Sequence, residues 1–319
     1  MNATPRTPTS LTRLTQHGTD PVSSIWARLR RGVRLLRRQA DWDRFAGDGW
    51  AERIMAEPLT DREHKKQGRS IGRKVFTDDR DTLSVYLKRH YMLSRVTGLL
   101  ATLFPGRAWS PGLQEWQRIC WAQEQGFPVA RPVAAGQFVG PWGRLQGFLA
   151  VEELHGMLPL HEAIPRASRT LDPRSFARWK RGLVAELARL ARELHRRKVF
   201  HKDLYFCHFY IPEALTRAVP GDWTNRAFMI DLHRLARHSI TGAWWQVKDL
   251  AQLLFSSEVE GVTARDRMRF WKLYRRGWPN DRAPGAWLAP LVRWKWRLYR
   301  RHNERKPSAV PYDKQRSAA

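Results

Sequence analysis

The sequence has only two cysteines, Cys120 and Cys207, in 319 residues. That excludes a disulfide framework and a cysteine-based zinc site, and predicts two small buried hydrophobic side chains. It also lacks a long apolar run. The stretch from Val96 to Phe104 is the longest candidate, far short of the roughly 18 apolar residues that a membrane-spanning helix needs. The N-terminus shows no apolar core followed by a small-residue cleavage site, so the chain is expected to stay in the cytosol. Acidic residues are scarce. Against 57 Lys and Arg stand 30 Asp and Glu, a formal charge of +27. Such an excess predicts a polyanionic partner, and nucleic acid, anionic lipid headgroups and phosphorylated glycans all qualify.

What is present is the mix of a soluble globular protein, 42% hydrophobic and 27% charged, long enough for two cores. The 16 tryptophans either fill those cores or sit at a membrane interface. Residues 1–22 are rich in Thr, Ser and Pro and predict a disordered tail. Next, Ile25, Trp26, Leu29, Val33 and Leu36 recur at helical spacing among Arg28, Arg30, Arg31, Arg34, Arg37 and Arg38. This predicts one basic amphipathic helix over 24–38, suited to an anionic membrane surface. Together these form an N-terminal segment, 1–52.

Residues 53–157 predict a strand-rich lobe with one main helix. Leu83 to Tyr91 alternates as a strand does. A helix from about Leu113 to Gln125 is opened by Pro111 and Gly112 and stopped by Gly126 and Pro128. Two further strands are expected at Val129–Val139 and Leu145–Val151. Residues 158–306 predict a mainly helical lobe, with Leu183, Leu187, Leu190 and Leu194 striping a long helix. A buried strand runs into Asp231, and a helix over about 243–255 follows. A flexible tail is expected at 307–319.

Four positions carry chemistry when taken together. Phosphoryl transfer needs a cation on the nucleotide phosphates, a carboxylate to hold it, an Asp that orients the acceptor hydroxyl and an Asp that binds metal. Lys88, Glu115, Asp203 and Asp231 occur in that order, on a strand, a helix, a loop and a strand end.

The strings HKDLYFCHFYI at 201–211 and MIDLHR at 229–234 resemble those of the protein-kinase superfamily, and most of all the lipopolysaccharide core kinases. GFPVARPV at 126–133 and KDL at 248–250 add to the likeness, which spans about 65–256. The resemblance implies an α+β, two-lobed protein-kinase-like fold, with a small β-rich N-lobe and a larger helical C-lobe. It implies an ATP-dependent kinase phosphorylating a heptose or Kdo hydroxyl of the inner core. Asp203 would be the base, Asp231 would hold Mg2+, and Lys88 paired with Glu115 would position the phosphates. Gly68 and Gly72 stand where a glycine-rich phosphate loop belongs, with fewer glycines than such a loop usually has. Adenine would bond the main chain of Glu152, Glu153 and Leu154. His208 replaces the Asn that commonly binds a second Mg2+. Either it is a metal ligand, or its imidazole meets phosphate or acceptor, or it is structural.

Asp231 and Asp249 are too close in sequence for an activation loop and peptide platform, which favours a glycan or small-molecule acceptor. The stretch from Arg293 to Arg301 interleaves aromatics with cations. With the 24–38 helix it predicts a peripheral protein on the cytoplasmic face of the inner membrane. The alternatives are another small-molecule kinase of this fold and a nucleic-acid-binding pseudokinase. The second is disfavoured by the intact Lys88, Glu115, Asp203 and Asp231 set.

Overall fold

The computed structural model describes residues 24–58, 68–78, 81–276, 278 and 284–305. The tails expected at 1–22 and 307–319 lie outside them. In chain order the regular elements are α1 (Ile25–Arg31), β1 (Val33–Arg38), α2 (Trp42–Ala46), α3 (Trp50–Arg53), β2 (Arg69–Thr77), β3 (Thr82–His90), α4 (Arg95–Leu103), α5 (Pro111–Glu124), β4 (Pro132–Gly140) and β5 (Arg144–Glu152). There follow β6 (Met157–Pro159), α6 (Leu160–Thr170), α7 (Pro173–Arg196), β7 (Val199–Phe200), β8 (Phe209–Pro212), β9 (Phe228–Met229), β10 (Ala236–Arg237), α8 (Gly242–Ser256), α9 (Ala264–Arg276) and α10 (Leu288–Arg305). The chain divides into two units. One takes in the described residues up to Trp121 together with Ala130–Glu153; the other takes in Ala122–Val129 and the described residues from Leu154 onward.

The first unit is built on an antiparallel sheet in the order β1-β4-β5-β3-β2. Its main core lies under α2 and α3. Trp42, with no exposure, meets Trp50 and Phe76 edge-on at 5.6 and 5.1 Å, and Phe148 closes the cluster. Edge-to-face contact suits the ring quadrupoles. These tryptophans fill a core, as do Trp116, Trp179 and Trp223, whereas Trp26, Trp142, Trp244, Trp287 and Trp294 are exposed.

One expectation is corrected here. Residues 24–38 are not a single amphipathic helix. Gly32, at φ 79°, ends α1 after Arg31, and a Cβ at that position would fall 2.4 Å from the Val139 carbonyl oxygen. The chain then turns into β1, which pairs with β4 from Val33↔Val139 to Arg38↔Ala134. Val33 and Leu36 are therefore buried in the sheet unit and unavailable to a membrane. The apolar spacing fits a helix, but backbone pairing and the glycine override it. It also follows that β1, α2 and α3, expected outside the strand-rich lobe, are part of it.

In the second unit α7 is the main scaffold. Asp172 caps it by accepting from the N–H groups of Arg174 and Ser175, and Pro173 stands at its first position. Leu183, Leu187, Leu190 and Leu194 are all buried along one face. Gly182 is needed where Trp223 lies against the helix, since a Cβ there would be 2.0 Å from the indole. Gly126, in the left-handed region, stops α5, and the following segment joins this unit through Met229 N–H donating to the Pro128 carbonyl at 2.8 Å. Because Leu190 has no exposure, Leu190→Ala is expected to lower the unfolding free energy by about 3 kcal/mol, measured by denaturant titration.

Candidate active site

Each unit assembles part of the constellation read from the sequence. In the sheet unit Lys88 lies on β3 and Glu115 in the opening turns of α5. Lys88 Nζ donates to Glu115 Oε1 at 2.8 Å, and the glutamate is nearly buried. A shielded pair of this kind holds the ammonium in one place, because losing its partner would leave a buried charge.

Other sites expected in this unit are arranged differently from the sequence reading. Gly68 sits at a turn with φ 71°, but Arg69–Thr77 is strand, and Gly72 pairs with Leu87 inside it. Gly68 to Gly72 are thus a turn and the first residues of a strand, not an open loop. The main-chain N–H of Glu152 donates to Arg131 O at 2.8 Å and that of Glu153 to Ser84 O at 2.9 Å. Both donors belong to the sheet unit's own bonding, so the connector has fewer groups to offer a ligand than expected. The Glu152 carboxylate takes Arg131 Nε at 2.5 Å, and Glu153 takes Arg73 Nε at 2.8 Å. Leu154 opens the longer of the two segments that make up the second unit.

In that second unit, Asp203 and Asp231 lie on two segments tied to each other. His201 Nε2 donates to the Ile230 carbonyl at 3.1 Å, and Ile230 N–H donates to the His208 carbonyl at 3.0 Å. His201 is buried, which holds its pKa below the usual imidazole range, so the ring is neutral and serves as a fixed donor. Lys202 and Asp231 both have left-handed backbones, with φ 67° and 59°. Strained positions of this kind persist only where surrounding bonds over-determine them.

For Lys202 those bonds come from α8. Asp249, with no exposure, accepts the N–H of His201 at 2.9 Å and of Lys202 at 2.7 Å. Lys248 Nζ donates to the Lys202 carbonyl at 2.7 Å, as does Gln252 Nε2 at 3.2 Å. Gln252 Oε1 takes the N–H of Leu204 at 3.1 Å, and Ser256 Oγ takes that of Phe206 at 3.0 Å. Side chains 248, 249, 252 and 256 share one helical face and dictate the course of the loop. From behind, His195 approaches Asp249 at 3.3 Å and Tyr274 Oη at 2.7 Å.

The Asp203 carboxylate is braced by Arg234, whose Nη1 lies 3.1 and 3.0 Å from its two oxygens, with Lys248 Nζ at 3.9 Å. Burial and then the neighbouring Arg234 charge lower the Lys248 pKa, the mark of a cation-rich surrounding. Asp231 stands between two imidazoles: His233 Nδ1 donates to Oδ1 at 2.8 Å, and His208 Nε2 faces Oδ2 at 3.8 Å. His208 Nδ1 donates to the Asp203 carbonyl at 2.7 Å. Burial acts to lower the His208 pKa, but Cys207, that carbonyl and Asp231 outweigh it and raise it. Neutral His208 would thus turn an acceptor nitrogen towards an acceptor oxygen. Such a pair calls for a cation or a proton nearby.

Among the described residues no cluster of three or more His, Cys, Asp or Glu could cage a metal alone. Magnesium is commonly held by one or two carboxylates with substrate phosphates completing the shell, so the Asp231 carboxylate suits it. The His208 nitrogen is a poor magnesium ligand by chemistry, though it is placed beside that carboxylate.

A sequence model of the Lipopolysaccharide kinase (Kdo/WaaP) family matches residues 64–274. The chain belongs to that family. Within the Kdo/WaaP family, the chain is 37% identical over 163 residues to the lipopolysaccharide core heptose(I) kinase WaaP of Pseudomonas aeruginosa, and 30% identical over 162 residues to WaaP of Escherichia coli K12. These stretches cover 51% and 50% of this chain, but 59% and 58% of the two relatives. A solved structure of WaaP in complex with acyl carrier protein aligns with a TM-score of 0.58 and 26% identity, over 82% of this chain and 98% of that one. The fold, a β-sheet unit and a helical unit, is protein-kinase-like.

Sequence reasoning did not assign roles to Arg234, Gln252 or Ser256. A signal was available: polar residues at 248, 249, 252 and 256 recur on one face of a helix otherwise lined by Val247, Leu250, Ala251 and Leu253. Asp249→Ala leaves two buried N–H groups without an acceptor. It is expected to cost about 3 kcal/mol of stability and to speed amide exchange over 201–206. Unchanged exchange there would contradict the bracing role.

Proposed function

We propose that the chain is an ATP-dependent kinase that phosphorylates a heptose or Kdo hydroxyl of the lipopolysaccharide inner core. The observation that supports it most is the pair of carboxylates, Asp203 and Asp231, on segments joined by the His201–Ile230 and Ile230–His208 bonds. Membership of the Kdo/WaaP family, and the names of the relatives, give the substrate class.

In this reading Asp203 accepts the hydrogen bond of the attacking hydroxyl and aims it. A loose transition state asks mainly for orientation, so the carboxylate needs no special basicity. Arg234 fixes its rotamer. With Lys248 it also gives the acceptor side a positive character that suits the carboxylates and phosphates of inner-core sugars. Asp231 would hold Mg2+, which when bound neutralises charge on the nucleotide phosphates. Lys88, steadied by Glu115, meets those phosphates, and adenine bonds main-chain groups near Glu152 to Leu154. His208 steadies the loop that carries Asp203 through its Nδ1 bond to the Asp203 carbonyl, and its Nε2 faces the Asp231 carboxylate. The protein works at the cytoplasmic face of the inner membrane, because a lipid-linked acceptor presents its sugars there. The retained Lys88, Glu115, Asp203 and Asp231 speak against a nucleic-acid-binding pseudokinase.

Asp203→Asn keeps the shape of the side chain and removes its charge. Turnover is expected to fall about 10²–10⁴-fold while MgATP affinity stays within about twofold. Near-normal turnover in a clean preparation would remove Asp203 from its role. Asp231→Ala, by contrast, should abolish magnesium-dependent nucleotide binding, read by calorimetry with and without the metal. Unchanged MgATP affinity in that variant would make Asp231 structural.

A further inference from the structure

The exposed apolar side chains of the sheet unit are not scattered. Among the described residues, every exposed large hydrophobic of that unit except Tyr86 and Met92 lies on α1, on α4 or at its C-terminal end, or at the turn between β4 and β5. These three segments pack on one another. A Cβ on Gly98 of α4 would fall 1.9 Å from the carbonyl oxygen of Gly143 in the turn, so helix and turn touch backbone to backbone. The inner face of α4 (Gly98, Ala101, Thr102) is buried, and Ala101 joins a small core with Val33, Val139 and Leu145. Its outer face is apolar as well. Val96 is 67% exposed, and Leu100, Leu103 and Phe104 are exposed beside it.

The turn adds a second, independent oddity. Trp142 has a left-handed backbone, φ 56°, and the residue is 58% exposed. A bulky residue in that region is strained, and here the strain presents an indole to solvent instead of packing it. Trp26 on α1 is 66% exposed.

Charge decides what such a face fits. No Asp or Glu occurs in residues 24–40, 82–114 or 132–151, the stretches that contain α1, α4 and the turn. Exposed Arg30, Arg31, Arg95, Arg107 and Arg144 accompany the apolar side chains on these stretches. Indole, aliphatic side chains and arginine without any acid are the composition of a surface that enters the headgroup region of an anionic bilayer. The basic stretch on α10 is a weaker match. Lys295 there already lies over the Trp244 ring at 4.9 Å and the Tyr299 ring at 5.5 Å, and Trp296 donates to Glu258 at 2.8 Å.

We propose that α4, the Trp142 turn and Trp26 of α1 form the face by which this protein inserts into an anionic lipid surface. The proposal rests on the reading that the acceptor is lipid-linked, and it replaces the 24–38 helix as the means of attachment. The test uses the full chain with vesicles of phosphatidylethanolamine and phosphatidylglycerol, with phosphatidylcholine vesicles as the comparison. The unaltered chain partitions onto the first and less onto the second, and high salt weakens the binding. The double variant Val96→Gln with Leu103→Gln is expected to lose binding about tenfold or more. So is Trp142→Asn, whose new residue tolerates the left-handed backbone. Arg293→Gln with Arg297→Gln on α10 has the smaller effect. Circular dichroism and phosphorylation of a water-soluble core glycan report that each variant is folded and active. Undiminished vesicle binding by the α4 and Trp142 variants, with turnover retained, overturns the proposal. So does a dimer that those variants break, or an acidic soluble protein that binds the face while vesicles do not. If no chain phosphorylates the glycan but vesicle binding still falls in these variants, it is the kinase reading that fails.

Discussion

A single carboxylate without exposure to water governs the arrangement of the helical unit. Asp249 accepts two consecutive main-chain N–H groups, from His201 and Lys202. A charge at that depth is tolerable only with such partners, and the loop can hold a left-handed residue at Lys202 only with such a clamp. The bonding is mutual: remove either side and the other is left buried and unsatisfied. From that clamp the rest is placed in sequence. Gln252, Lys248 and Ser256 extend it along the helix, Asp203 is set one residue beyond, and His201 passes the constraint on to Ile230 and so to Asp231.

The sheet unit solves a similar problem with different means. There the buried group is Glu115, and a lysine on the neighbouring strand meets it. The lysine is presented by β3, held between β2 and β5, so that its position is set by two ladders of backbone bonds. Cys120 and Cys207 form no disulfide. Cys207 is buried, as a small hydrophobic residue would be, and Cys120 is partly so.

Much of this was legible in the sequence where a local signal and the tertiary outcome agree. The leucine stripe of α7, the glycine stop of α5 and the alternation of β3 are elements whose period matches the face they bury. The strings around Asp203 and Asp231 carried the family. Legibility failed where two periods fit the same residues. Val33 and Leu36 suit a helix after Ile25 and Leu29, yet Val33 and Leu35 suit a strand equally, and only pairing with β4 decides. The strand that begins after Gly68 and takes in Gly72 was not legible either. A glycine's role depends on whether its backbone is free or laddered, which composition does not reveal. Arg234 and Gln252 were hidden for a third reason, since their function is contact with residues some 30 and 50 positions away.

The account turns on transfer of phosphate to a core sugar. The most direct measurement is incubation of the purified full chain with MgATP, isotopically labelled in its γ-phosphate, and inner-core glycan stripped of phosphate. Mass spectrometry of the recovered glycan then follows. The account predicts a labelled phosphate on one heptose or Kdo hydroxyl, absent without Mg2+. Recovery of unaltered glycan, from a chain that binds MgATP under the same conditions, would contradict it.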